Sequence, residues 1–115
     1  MATKIYHNPR CSKSRATLEL LKSRGIEPII VEYLKTPPSA TELTELLALL
    51  GLQPRQLIRR GESVYRELGL DNPELNPEAL IRAMVEHPIL IERPIVIVNG
   101  KAALGRPPEN VLALL

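Results

Sequence analysis

The sequence predicts an α/β fold: a four-stranded mixed sheet flanked by helices, with a helical insertion between an opening βαβ unit and a β-hairpin near the C-terminus. Three observations predict it. A strand-like run, a helical pattern and a second strand-like run follow one another in about the first thirty-four residues. From about residue 39 to residue 87 only helical patterns occur. Asn99-Gly100, the strongest short hairpin signal, comes directly after the most strand-like segment of the chain. At 115 residues the chain fits one domain, expected over residues 1–115, and is long enough to bury a core without disulfides or a structural metal.

Lys4-Ile5-Tyr6-His7 reads as the first strand. Residues 12–24 read as a helix whose Ala16, Leu18, Leu20 and Leu21 mark a broad apolar face ending at Gly25. The run Ile29-Ile30-Val31-Glu32-Tyr33-Leu34 is short, β-branched and bounded by Pro28 and by Pro37-Pro38, so it reads as a buried strand. Its crossover from the first strand should be right-handed and the two strands parallel. Ser39-Ala40-Thr41-Glu42 is a capping-box pattern, and Leu43, Leu46, Leu47 and Leu50 follow at helical spacing before Gly51. Residues 54–60 and 62–68 read as two short helices broken at Gly61. Asn76-Pro77-Glu78 caps a helix carrying Leu80, Ile81, Met84 and Val85, which stops before Pro88. Residues 93–98 form a strand, Lys101-Ala102-Ala103-Leu104 pairs back antiparallel, and Pro107-Pro108-Glu109 starts a last helix with Val111, Leu112 and Leu115 as its apolar positions. No repeat, low-complexity tract or linker divides the chain. This order of elements describes a thioredoxin-like fold, in which a reactive cysteine follows the first strand and a proline precedes the third. Both are in place here, and by likeness to that fold the Arg93-Pro94 bond is expected to be cis.

Composition excludes several functions. Fifteen Lys and Arg against thirteen Asp and Glu leave a net charge of +2, too weak for a nucleic-acid footprint. With no Phe, no Trp and three Tyr, stacking platforms for bases are scarce. One cysteine and two histidines fall short of the usual structural zinc sets, and no metal is expected. Met1-Ala2-Thr3-Lys4 has no apolar stretch of signal-peptide length, and no run is long enough to cross a membrane. The expected compartment is the reducing cytoplasm.

The chemistry centres on His7-Asn8-Pro9-Arg10-Cys11-Ser12-Lys13-Ser14-Arg15, which holds the only cysteine. Cys11 falls where a strand hands over to a helix N-terminus. There the unpaired N–H groups and dipole of the first turn, with Arg10, Lys13 and Arg15 nearby, favour a thiolate. The motif is C-x-x-S, so the chain holds no resolving thiol, and a redox cycle needs an outside thiol such as glutathione. A tyrosine-phosphatase loop would want arginine six positions after the cysteine, where Thr17 stands. His7 either bonds within the loop, assists the thiolate or is structural. His87, at a helix end, is read as a favourable contact with the C-terminal dipole. In a thioredoxin-like fold the proline loop lies against the cysteine, which brings Arg93 to the same pocket and lets Arg106 reach it from the end of the hairpin. Converging guanidiniums would bind a tetrahedral oxyanion bidentately.

His7-Asn8-Pro9-x-Cys11, the downstream Arg59, the segment from His87 to Val96 and Gly105-Arg106-Pro107 together resemble the glutaredoxin-coupled arsenate reductases and their close relatives, over essentially the whole chain. The resemblance implies that Cys11 is the nucleophile that attacks arsenate, that glutathione then adds, and that a glutaredoxin completes reduction and release of arsenite. It implies that Arg59, Arg93 and Arg106 hold the oxyanion and that His7 is the histidine beside the nucleophile; Arg10, next to Cys11 in the loop, is also expected in the substrate-binding set. No bound cofactor is implied; glutathione is a co-substrate. The chain has Arg10 and Ser12-Lys13 where members with established arsenate activity have Ala and Gly-Thr. Two alternatives share the fold: a regulator resembling Spx-type transcription factors, which typically carry a C-x-x-C switch, and a monothiol glutaredoxin-like protein acting on glutathione mixed disulfides.

Overall fold

The computed structural model describes residues 3–115, so the first two residues of the N-terminal segment discussed above lie outside the described part. The chain divides into two compact units, one made of residues up to Thr36 together with Arg93–Leu115, the other of Pro37–Glu92.

The first unit holds the sheet. Its strands are β1 (Thr3–Tyr6), β2 (Ile29–Val31), β3 (Ile95–Val98) and β4 (Lys101–Leu104), in the order β2-β1-β3-β4. As predicted, β1 and β2 are parallel, joined through helix α1 (Ser12–Ser23), while β3 is antiparallel to both β1 and β4. Asn99 and Gly100 turn the hairpin with φ of 49° and 75°, a left-handed pair that glycine and asparagine accept at little cost. Pairing Thr3 with Val98 and Ile5 with Val96 puts these residues on one face. There Ile5, Val96 and Val98 pack with Leu21 of α1 and Val111, and Leu18, Leu20, Ile26 and Leu114 close the edges. Losing a side chain such as Leu21 from this cluster should cost about 2–5 kcal/mol.

In this unit three expectations need correction. The buried ridge of α1 is Ser14, Thr17 and Leu21, while Ala16 is exposed and Leu18 and Leu20 are only partly covered. Two polar residues thus occupy inward positions that a count of apolar side chains assigns elsewhere. The predicted buried strand over 29–34 is a three-residue edge strand with Ile29 56% and Ile30 45% exposed. A β-branched run reports extended backbone and does not distinguish the centre of a sheet from its border. After Val31 the chain turns, with Lys35 and Thr36 both donating backbone N–H to the Glu32 carbonyl at 2.9 Å, and it is Tyr33 that becomes buried. The last helix is 3₁₀, over Pro108–Leu114, and leaves Leu115 48% exposed.

The second unit is helical. Helix α2 (Ala40–Leu50) carries the expected capping box: the Glu42 N–H donates to Ser39 Oγ at 3.1 Å and the Ser39 N–H to Glu42 Oε1 at 3.0 Å, and Gly51 ends the helix in the left-handed region at φ 67°. Helix α3 (Pro54–Leu57) is shorter than predicted, because at Ile58 the chain leaves the helix to form a β-bridge with Ile91, and α4 covers Ser63–Glu67 between the caps Glu62 and Leu68. Helix α5 (Pro77–Glu86) starts under Asn76, whose Oδ1 accepts the Ala79 N–H at 2.9 Å. His87 is the C-cap residue at its other end, its backbone N–H donating to the Ala83 carbonyl at 2.8 Å, and a 3₁₀ turn over Pro88–Leu90 follows. Leu43, Leu46, Leu47, Leu80, Ala83 and Met84 are the buried residues of α2 and α5.

Candidate functional site

The sheet register gathers the sequence-predicted residues of the first unit at one end. Tyr6 pairs with Ile95 and Ile95 with Leu104, so the residues just beyond them, His7, Pro94 and Gly105, leave the sheet side by side. The His7 N–H extends the parallel ladder to the Val31 carbonyl at 2.8 Å. From that end the chain makes one tight loop into α1.

Cys11 is the N-cap of α1, in extended conformation, and its side chain makes no capping hydrogen bond. The thiol is half-buried and lies at a turn whose first N–H groups face outward from the helix start. The loop before it is braced at every step. The Cys11 N–H donates to the Asn8 carbonyl at 3.0 Å, the Arg10 N–H to Asn8 Oδ1 at 3.0 Å, and Arg15 Nη1 to the Pro9 carbonyl at 2.9 Å. Ser14 Oγ, wholly buried, accepts the Asn8 N–H at 3.0 Å and lies 2.7 Å from His7 Nδ1. Burial holds the His7 imidazole below its ordinary pKa of 6.5; Arg15 and Lys22 push it the same way and Glu32 opposes them. His7 is therefore a neutral ring tied to Ser14, not a cation beside the thiol. Ser14 occupies the place of a resolving thiol in C-x-x-C motifs, and here it serves as a structural pin between His7, Asn8 and the helix.

Thr17 has a comparable role one turn on. Its hydroxyl donates to the Lys13 carbonyl at 2.8 Å, and its side chain fills the space above Gly105, where a Cβ would collide with Thr17 Oγ1 and come within 2.8 Å of Pro94 Cγ. The Gly105 N–H donates to the Pro94 carbonyl at 2.9 Å. Helix α1, the Pro94 loop and the end of the hairpin thus touch through a single glycine.

Arg93-Pro94 is cis, as expected, and so is Arg106-Pro107. Arg106 Nη1 donates to the Arg93 carbonyl at 3.3 Å, which brings those two predicted arginines together, and Nε and Nη1 of Arg93 are shut off from solvent. Arg10 stands exposed at the outer corner of the cysteine loop. Arg59 belongs to the second unit. Its Nε donates to Glu62 at 3.2 Å and its Nη1 to Glu92 at 3.1 Å, with the side chain 21% exposed. The Ile58–Ile91 bridge holds its backbone, the Arg59 N–H donating to the Leu90 carbonyl at 2.7 Å. Two carboxylates in a fork orient the guanidinium. Among the described residues no three His, Cys, Asp or Glu side chains gather as a metal site, and no helix is long and apolar enough to cross a membrane.

The pattern of one protein family, the ArsC family, matches residues 6–114. The chain belongs to the ArsC family. It is 57% identical over 113 residues to the arsenate reductase of Neisseria meningitidis serogroup A, covering 97% of each chain. It is 58% identical to the Escherichia coli K12 protein YfgD, described as uncharacterized, covering 97% of this chain and 95% of that one. Among solved structures, the arsenate reductase from Vibrio cholerae superposes with a TM-score of 0.98 at 53% identity, covering all of this chain and 98% of that one. The thioredoxin-like sheet is therefore the ArsC fold.

Within this ArsC chain, the parts that sequence reasoning missed are Asn8, Ser14, Thr17, Gly105 and the Glu62–Glu92 fork on Arg59. Asn8, Ser14 and Thr17 lie in or next to the cysteine motif, and for Ser14 and Thr17 their polar character at inward positions of α1 was the available signal. Nothing in the sequence pointed to Glu92 as a partner of Arg59, 33 residues away.

Proposed function

We propose that this protein reduces arsenate to arsenite, with Cys11 as nucleophile and outside thiols as reductant. The observation that carries this reading is the half-exposed Cys11, the only thiol of the chain, set at the start of α1 in a loop held by the Asn8, Arg10 and Cys11 N–H groups and the Asn8 and Pro9 carbonyls. A nucleophile in such a loop meets its substrate without first being ordered.

The Cys11 thiolate attacks arsenic and displaces one oxygen as water, giving a thiol-bound arsenic(V) ester. Glutathione adds to the arsenic with loss of a second oxygen as water. A glutaredoxin thiolate then attacks the glutathione sulfur, forming a mixed disulfide and leaving the electron pair on arsenic as arsenic(III) bound to Cys11, and one water cleaves that bond to release arsenite and restore the Cys11 thiol. In sum, arsenate and two thiols give arsenite, one disulfide and water. Arg93 and Arg106, joined through the Arg93 carbonyl, together with Arg59 by the family resemblance, hold the oxyanion and take up the charge that builds on its oxygens. His7 acts as a positioning residue through Ser14. The cytoplasm, where glutathione is kept reduced, suits this cycle.

The test is a coupled assay of arsenate-dependent NADPH consumption with glutathione, glutathione reductase and a glutaredoxin, run beside Cys11→Ser. Turnover in the wild type and none in the variant is expected. Turnover equal to that of the Cys11→Ser control would overturn the proposal.

A further inference from the structure

A cleft beside the cysteine loop lies apart from the arginines assigned to the oxyanion. Residues 7–10 form one wall, and Glu32, Leu34 and Lys35, from the turn after β2, form the other, around a volume of about 230 Å³. Cys11 is the next residue after this wall, and its backbone N–H bonds to the carbonyl of Asn8, itself a lining residue. On the far wall Lys35 Nζ and Glu32 Oε1 lie 3.5 Å apart, both well exposed. An ion pair this wet is worth little to the fold and opens at little cost. Arg10 adds a second cation where the cleft meets the loop.

Two cations and one carboxylate, with one opposite-charge pair side by side, form the complement of a particular ligand. An α-amino-acid head carries an ammonium and a carboxylate on a single carbon, the reverse of Glu32 and Lys35. A further carboxylate on the same molecule would answer Arg10. The volume is below that of ordinary small-molecule pockets, so it takes a head group and leaves the rest of the ligand outside, toward Cys11. Because the chain holds one cysteine, its redox partner is a thiol from solution. We propose that this cleft is the docking site of a peptide thiol of the glutathione type, whose α-amino-acid end sits on Glu32 and Lys35 and whose other carboxylate meets Arg10. The proposal rests on the thiol-dependent reading given above. It reassigns Arg10 from the oxyanion to the co-substrate.

The test omits arsenate. Oxidised glutathione is added to the reduced protein; the Cys11 thiolate attacks one sulfur, a Cys11–glutathione disulfide forms and one glutathione thiolate leaves, followed by mass spectrometry. Two other disulfides serve as references: 2-hydroxyethyl disulfide, which has no charge, and dithiodipropionate, which has carboxylates but no ammonium. Lys35→Ala is expected to slow oxidised glutathione about two- to fivefold, and Lys35→Glu about tenfold, with 2-hydroxyethyl disulfide unchanged. Glu32→Gln should slow oxidised glutathione about two- to fivefold without slowing dithiodipropionate. Equal loss toward all three disulfides, or no loss toward any, overturns the proposal. Failure of the reductase reading looks different: no arsenate turnover in the wild type, with the preference for oxidised glutathione and its dependence on Lys35 intact. Conversely, full arsenate turnover with an unchanged KM for glutathione in Lys35→Glu overturns the cleft alone.

Discussion

Replacing Gly105 by alanine adds one methyl group at the point where three segments meet. Built on the existing backbone, that methyl lies 2.8 Å from Pro94 Cγ, 3.0 Å from Thr17 Cγ2 and closer still to Thr17 Oγ1. Ordinary carbon–carbon contacts fall at about 3.5–4.0 Å, so the shortfall against the proline ring is about 1 Å. Neither neighbour yields easily. Thr17 is fully buried and its hydroxyl is bonded to the Lys13 carbonyl at 2.8 Å, while the proline ring has no rotatable side chain. Overpacking of this kind costs about 1–3 kcal/mol, or about 4–12 °C in Tm for a chain of this size. Urea unfolding followed by circular dichroism measures it. A second substitution, Thr17→Ala, removes both threonine atoms in conflict and costs about 1 kcal/mol by itself through the lost hydrogen bond. The double variant should therefore be more stable than the two separate losses summed, by about 0.5–3 kcal/mol. Strict additivity, or a Gly105→Ala protein within about 0.5 kcal/mol of wild type, would refute the contact. Because Gly105 precedes Arg106 and bonds to Pro94, kcat/KM for arsenate should fall with stability in Gly105→Ala and recover in part in the double variant.

Other expectations are as direct. Ser14→Ala leaves the Asn8 N–H and His7 Nδ1 buried without their shared oxygen, and should lower stability by about 2–4 kcal/mol in the same urea assay; Ser14→Cys, offering a poorer acceptor, should fall between. His7 is held below its ordinary pKa in the fold, so the unfolded chain takes up a proton that the folded chain refuses. The stability gained from its neutral form is thus full above about pH 6.5 and declines as pH falls below it; urea midpoints for His7→Gln should lack that part of the slope. Glu92→Gln removes one arm of the fork on Arg59 and should raise KM for arsenate more than it lowers Tm, since a partly exposed pair contributes only about 1 kcal/mol to stability.

Local chemistry made much of the fold legible. Ser39 and Glu42, Asn76 and Pro77, and Asn99-Gly100 each satisfy backbone groups within a few residues, and each sits where the pattern placed it. Cys11 at the start of α1 followed from the same kind of reasoning. What remained hidden depends on partners far along the chain. The Ile58–Ile91 bridge shortens α3, yet neither residue differs in type from a helical apolar position. Leu104 pairs with Ile95 and so brings Gly105 over Thr17, a meeting across 88 residues. The inward face of α1 was misread because Ser14 and Thr17 are buried for their hydrogen bonds, while apolar periodicity counts only carbon. Arg93 and Arg106 are legible as pocket residues from their places before β3 and after the hairpin, whereas the bond from Arg106 to the Arg93 carbonyl shows only in the folded chain.

The border strand β2 leaves Ile29 and Ile30 in water, which for most sheets would invite another molecule to add a strand. Here the invitation is brief. Only three residues are extended, Pro28 ahead of them brings no N–H, and Glu32 behind them begins a turn. A protein can carry two bare isoleucines at a sheet border in a crowded solution when the border is too short to template a fibril. Lengthening it, for instance by Pro28→Thr, would trade that protection for concentration-dependent assembly.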